Sequence, residues 1–119
     1  MREKRRDRLR LQHTLDACDA LVEFMTDRTE KDLRTDKLLL SAVTRQIEII
    51  GEAANMITEE RQQEFSTIPW RQIIGMRHKI IHEYFAVQTE TVWDVVKNDI
   101  PTLREQIDGM IASLPDQEF

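Results

Sequence analysis

From Leu11 onward the apolar residues recur in alternating steps of four and three: Leu11, Leu15, Cys18, Val22 and Met25, with Leu21 and Phe24 widening the stripe. That is the period of one face of an α-helix, and it predicts a helix over about residues 5–27. A second stripe, Val43, Ile47, Ile50, Ala54 and Ile57, predicts a helix that starts at a cap, Thr35 or Asp36, and ends near Arg61. A third, with Trp70, Ile73, Ile74, Ile80 and Ile81, follows Pro69, whose missing N–H costs little in the first turn of a helix. It should end around His82 to Phe85. The fourth begins near Thr89 and uses Val92, Val96, Ile100, Leu103, Ile107, Met110 and Leu114. Pro101 interrupts it, which predicts a kink near Asn98, because proline removes one backbone donor and crowds the preceding turn.

Four amphipathic stripes joined by short connections, in a chain with only three glycines and three prolines, define the fold class. It is all-α, an antiparallel four-helix bundle with a kinked last helix. The 119 residues fit one domain, 1–119, whose tail over 115–119 should fray. Gly51 and Gly75 fall inside predicted helices, where glycine costs roughly 1 kcal/mol against alanine, so both read as points of close helix approach. Apolar residues left exposed on the third and fourth helices would favour a homodimer.

A net charge of −5 argues against wholesale coating of nucleic acid, although a local basic site is compatible with it. The single Cys18 cannot form an internal disulfide, and its apolar neighbours mark it as a core residue in a reducing compartment. No apolar run approaches the roughly 20 residues of a membrane span, and no signal-peptide apolar stretch follows MREKRRDRLR. The expected location is the cytoplasm. The N-terminal basic residues Arg2, Lys4, Arg5, Arg6, Arg8 and Arg10 read equally as an arm that tracks phosphates or as a solvated first turn.

The chemistry-bearing residues gather at the end of the third helix, in Arg77-His78-Lys79-Ile80-Ile81-His82-Glu83-Tyr84. Arginine offers phosphate a permanent forked cation, histidine exchanges a proton near neutral pH, and the tyrosine hydroxyl can accept a group. On an ideal helix Arg77 and His82 point about 140° apart. Either the helix frays at His82 or a second subunit completes the site. His78 and His82, four apart, have the spacing of some zinc sites, but a third ligand would have to come from His13, a carboxylate or another chain. Glu83 follows the second histidine, so there is no HExxH pattern. Glu48 and Glu52 could face the third helix, with surface solvation as the default for both.

In RQIEIIGEAANMI, IPWRQIIGMRHKIIHEYF and VWDVVKNDIPTL the chain resembles the HepT-like family of HEPN domains, partners of MntA-type minimal nucleotidyltransferases. The resemblance runs from the first helix to about Leu114. Its most specific element is the RX4HXY pattern, matched by Arg77, His82 and Tyr84. What it implies is the toxin of a toxin–antitoxin pair: a homodimeric, metal-independent endoribonuclease with Arg77 and His82 catalytic, RNA as substrate and no cofactor. It also implies that a nucleotidyltransferase antitoxin neutralises the toxin by attaching AMP to Tyr84. His78 stands where the family commonly has asparagine, and it either supports the site or merely substitutes for that residue. The alternative is a non-catalytic helical partner that regulates the nucleotidyltransferase and serves as its substrate.

Overall fold

The computed structural model describes residues 4–81 and 85–115, and among them every regular element is helical. After a 3-10 turn at Lys4–Arg6, α1 spans Asp7–Met25 and buries Leu11, Cys18, Leu21 and Met25 of the expected stripe together with Ala17, whereas Leu15 and Phe24 are half-buried and Val22 is exposed. α3 spans Lys37–Met56 and buries Val43, Ile47, Ile50 and Ala54. Its cap is Asp36, whose carboxylate accepts the Leu39 N–H at 3.1 Å. α5 covers Trp70–Ile81, and the last stripe forms α6, Phe85–Asp94, and α7, Ile100–Ser113.

Two short helices lie where the sequence reads as polar interruption. α2, Glu30–Thr35, starts at Thr29, whose backbone N–H donates to the Asp32 carboxylate at 2.7 Å. The second expected helix stops five residues before Arg61. The reason is Asp7 of α1: its buried carboxylate accepts the Thr58 N–H at 3.0 Å and the Thr58 hydroxyl at 2.7 Å. Held extended, Thr58 then caps α4, Glu59–Glu64, accepting the Arg61 N–H at 3.3 Å. Trp70 closes the next corner, its indole N–H donating to the carbonyls of Gln62 and Phe65.

Between α6 and α7 the helix widens into a π segment at Val95–Asp99, where the Ile100 N–H reaches back five residues to the Val95 carbonyl. This is the break expected near Asn98, produced by Pro101 in the first turn of α7.

α3 packs between α1 and α5, and α7 lies against α1. A Cβ on Gly51 would stand 3.4 Å from the carbonyl oxygens of Ile73 and Ile74, while Glu48, one turn earlier, meets Arg77, one turn later. Those pairings run in opposite directions, so α3 and α5 are antiparallel. The same holds for α1 and α7, where Arg104 pairs with Asp19 while Arg8 donates to the carbonyls of Ile111 and Leu114. Close approach at Gly51 is therefore met. At Gly75 it is not: the residue is exposed, and a Cβ there would find nothing within 4 Å.

The exposed large apolar side chains are Leu9, Val22, Leu38, Met56 and Val87. Four of the five stand on α1 and α3, so the third and fourth stripes leave little apolar surface among the described residues. No helix of the described residues is long and apolar enough to cross a membrane.

Candidate functional site

α5 buries Trp70, Ile73 and Ile80 and turns its last residues outward: Arg77, His78 and Lys79 are all exposed. A basic helix C-terminus is electrostatically favourable, since the aligned peptide dipoles leave partial negative charge there. Gly51 sets the geometry, because α3 approaches the Ile73 and Ile74 carbonyls so closely that a Cβ would just touch them and no larger side chain would fit.

One turn from that contact, Glu48 Oε2 lies 3.8 Å from Arg77 Nε and 3.3 Å from Arg45 Nη1. Glu48 is the more buried partner, its side chain 24% exposed against 53% for Arg77. Arg45 also reaches Glu52, at 3.4 Å. The carboxylate that the sequence leaves as surface is thus the link between α3 and the arginine of the motif. A signal for it was present: Glu48 and Gly51 are three apart, so they share a helix face. Because Glu48 meets Arg77 at Nε, the terminal nitrogens of the guanidinium remain for another acceptor. A phosphate, bound by two parallel N–H···O bonds, is the acceptor that such a fork fits best.

His82 and Tyr84 lie outside the described residues. Among the described residues, no three histidine, cysteine or carboxylate side chains converge as a metal site. His13 is on α1, beside Arg10 and across from Glu52 and Met56, in a hollow of about 230 Å³. The basic arm is partly absorbed by the fold: Lys4 pairs with Glu60 at 3.1 Å and Glu64 at 2.9 Å, and Arg8 serves the carbonyls that end α7.

The described residues define a small all-helical bundle that presents a guanidinium, paired with a carboxylate, at one helix end. The family is more specific. The model of the ribonuclease HepT-like family matches residues 14–110, and the chain belongs to that family.

Its relatives include "Probable ribonuclease HepT" of Thermococcus cleftensis, 36% identical over 84% of this chain and 91% of that protein. "Putative RNase TTE0752" of Caldanaerobacter subterraneus subsp. tengcongensis is 38% identical over 82% and 87%. "Gamma-glutamylcyclotransferase and putative RNase MJ0434" of Methanocaldococcus jannaschii is 42% identical over 82% of this chain, and the match spans only 44% of that longer protein. No solved structure matches the chain.

Proposed function

We propose that this protein is a metal-independent endoribonuclease of the HepT type, the toxin of a toxin–antitoxin pair. The observation that carries the reading is Arg77, exposed at the end of α5 and braced through Nε by Glu48, in a chain of the ribonuclease HepT-like family. Arg77 holds the scissile phosphate and offsets the charge that develops on it. His82 takes the proton of the ribose 2′-hydroxyl, the 2′ oxygen attacks phosphorus, and the 5′ oxygen leaves with a proton. The product end is a 2′,3′-cyclic phosphate.

Arg77 and His82 are five apart, and a homodimer that lines one cleft with both motifs supplies groups that a single helix would point about 140° apart. His78, one position after Arg77, supports the site. Tyr84 is the residue to which an MntA-type nucleotidyltransferase attaches AMP, and the added charge and bulk exclude RNA phosphate from beside Arg77.

The test is cleavage of RNA by purified protein in the presence of EDTA, with His82→Ala folded but inactive. Intact RNA across several substrates would overturn the reading. For the acceptor, intact mass after incubation with ATP and the nucleotidyltransferase should show AMP on the parent chain and none on Tyr84→Phe.

A further inference from the structure

A cleft of about 480 Å³ opens between α5 and the π segment, within the roughly 300–1,000 Å³ range of small-molecule sites. We propose that it is a nucleobase site that seats an unpaired base, guanine above the others, of the RNA whose phosphate Arg77 holds. The inference rests on the ribonuclease reading and adds a substrate preference to it.

The lining decides the class of ligand. Among the described residues that line the cleft there is no lysine, arginine or histidine, and the one charged group among them is the carboxylate of Asp99. A phosphate would be repelled there, so the occupant is a neutral group with a hydrogen-bonding edge. Ile73 and Leu103, both almost fully buried, and Met76 give a surface against which a flat ring can lie. A methionine sulfur is favourable beside an aromatic ring. Around them stand Gln72, Asn98 and Gln106, whose amides both donate and accept. Ionised Asp99 only accepts, so it selects a base that offers N–H groups. Guanine offers the most, with N1–H and the N2 amino group adjacent on its Watson–Crick edge. Reading that edge on an unstacked base is how proteins commonly recognise single-stranded RNA.

The π segment supplies Asn98 and Asp99 to this wall, and π turns inside helices frequently mark functional sites. Its wider turn follows from Pro101, so the same residue that breaks the last helix also shapes the cleft. Position along α5 links the cleft to the proposed reaction. Ile73 and Arg77 are four apart, on the same side of the helix with a rise of about 6 Å between them. A base in the cleft and a phosphate at Arg77 are then neighbours along one RNA strand.

The experiment is an NMR titration of ¹⁵N-labelled protein with guanosine 5′-monophosphate, cytidine 5′-monophosphate and inorganic phosphate in parallel. Guanosine monophosphate should shift the side-chain amide signals of Gln72, Asn98 and Gln106 at concentrations where phosphate does not. Asp99→Asn should weaken that binding about tenfold, the scale of losing a paired hydrogen bond to a base. Gln72→Ala should weaken it too. Cytidine monophosphate should bind less well to the parent chain and respond less to either variant.

Equal shifts with phosphate alone, or none at the cleft with any nucleotide, would overturn the base site. So would cleft shifts that follow protein concentration without nucleotide, since a second copy would then be the occupant. RNA cleavage by a protein that ignores guanosine monophosphate leaves the ribonuclease reading standing and removes this one. Guanosine binding in the cleft without RNA cleavage supports the base site and removes the ribonuclease reading.

Discussion

Glu48 Oε2 on α3 lies 3.8 Å from Arg77 Nε on α5, so the exposed arginine of the motif is tethered to the most central helix of the bundle. The contact is too exposed to stabilise the fold much, since such pairs contribute about 0–1 kcal/mol. Its consequence is orientation. Glu48→Gln should leave thermal stability nearly unchanged and lower the rate of RNA cleavage by roughly ten- to a hundredfold, as misplaced catalytic groups do. The loss should fall on kcat rather than KM. Initial rates on one RNA oligonucleotide, measured beside melting curves, check this, and an unchanged kcat would remove Glu48 from the site.

Asp7 shows the opposite balance, with stability at stake and no contact with the motif. It is 1% exposed, accepts two hydrogen bonds from Thr58, and lies 3.6 Å from the equally buried Arg61 Nε. Arg61 keeps Glu64 at 2.9 Å when Asp7 is removed, whereas the Thr58 N–H and hydroxyl lose their acceptor, at about 1–3 kcal/mol for each buried donor left unsatisfied. Asp7→Ala should lose both contributions in chemical denaturation. Thr58→Val, which deletes the hydroxyl that donates to Asp7 and accepts the Arg61 N–H but keeps Asp7 and Arg61, should lose about 1–3 kcal/mol.

The two glycines separate cleanly. Gly75→Ala places a methyl in open space on an exposed helix face, so it should stabilise by up to about 1 kcal/mol through helix propensity alone. Gly51→Ala gains the same propensity while its Cβ just touches two carbonyl oxygens at 3.4 Å, so its effect should be near zero. Gly51→Val must push α5 away and should destabilise by about 1–3 kcal/mol. Because Glu48 meets Arg77 one turn away, Gly51→Val should also lower RNA cleavage in the surviving folded fraction. Denaturation midpoints and specific activity per folded molecule decide both.

These contrasts show what a sequence can and cannot carry. The second and fourth stripes reach the core residue for residue, because a 3.6-residue period written over three or more turns admits only one buried face, while in the first the buried face passes through Ala17 and Leu21 and leaves Val22 exposed. α2 and α4 have six residues each, too few to express a period, and their signals were caps instead: Thr29 with Asp32, and Thr58 before Arg61. Gly75 was misread because glycine marks close approach only where a neighbour exists, and one sequence does not name neighbours. Arg77 stood out by residue type, whereas Glu48 needed the register of α3 against α5. The end of the second stripe depended on Asp7, 51 residues away from Thr58.

Cys18 gives the prediction that depends on pH. Its side chain is fully buried in the core, and burial, with Asp19's negative charge adding to it, pushes the thiol up from 9.0 to about 12. The native state therefore holds the proton more tightly than the unfolded chain does. Its contribution to stability is complete below pH 9, where the thiol is protonated in both states, and is lost as pH rises through the window from 9 to about 12. Two outcomes follow. At neutral pH a thiol reagent should label Cys18 only as fast as the protein opens, because the reactive thiolate is absent from the folded state. Between pH 9 and 11, the parent chain should lose more stability than Cys18→Ala does, once both are compared with their own values at pH 8. Rapid labelling of folded protein at neutral pH, or identical alkaline profiles for the two chains, would show that Cys18 is not sealed in the core.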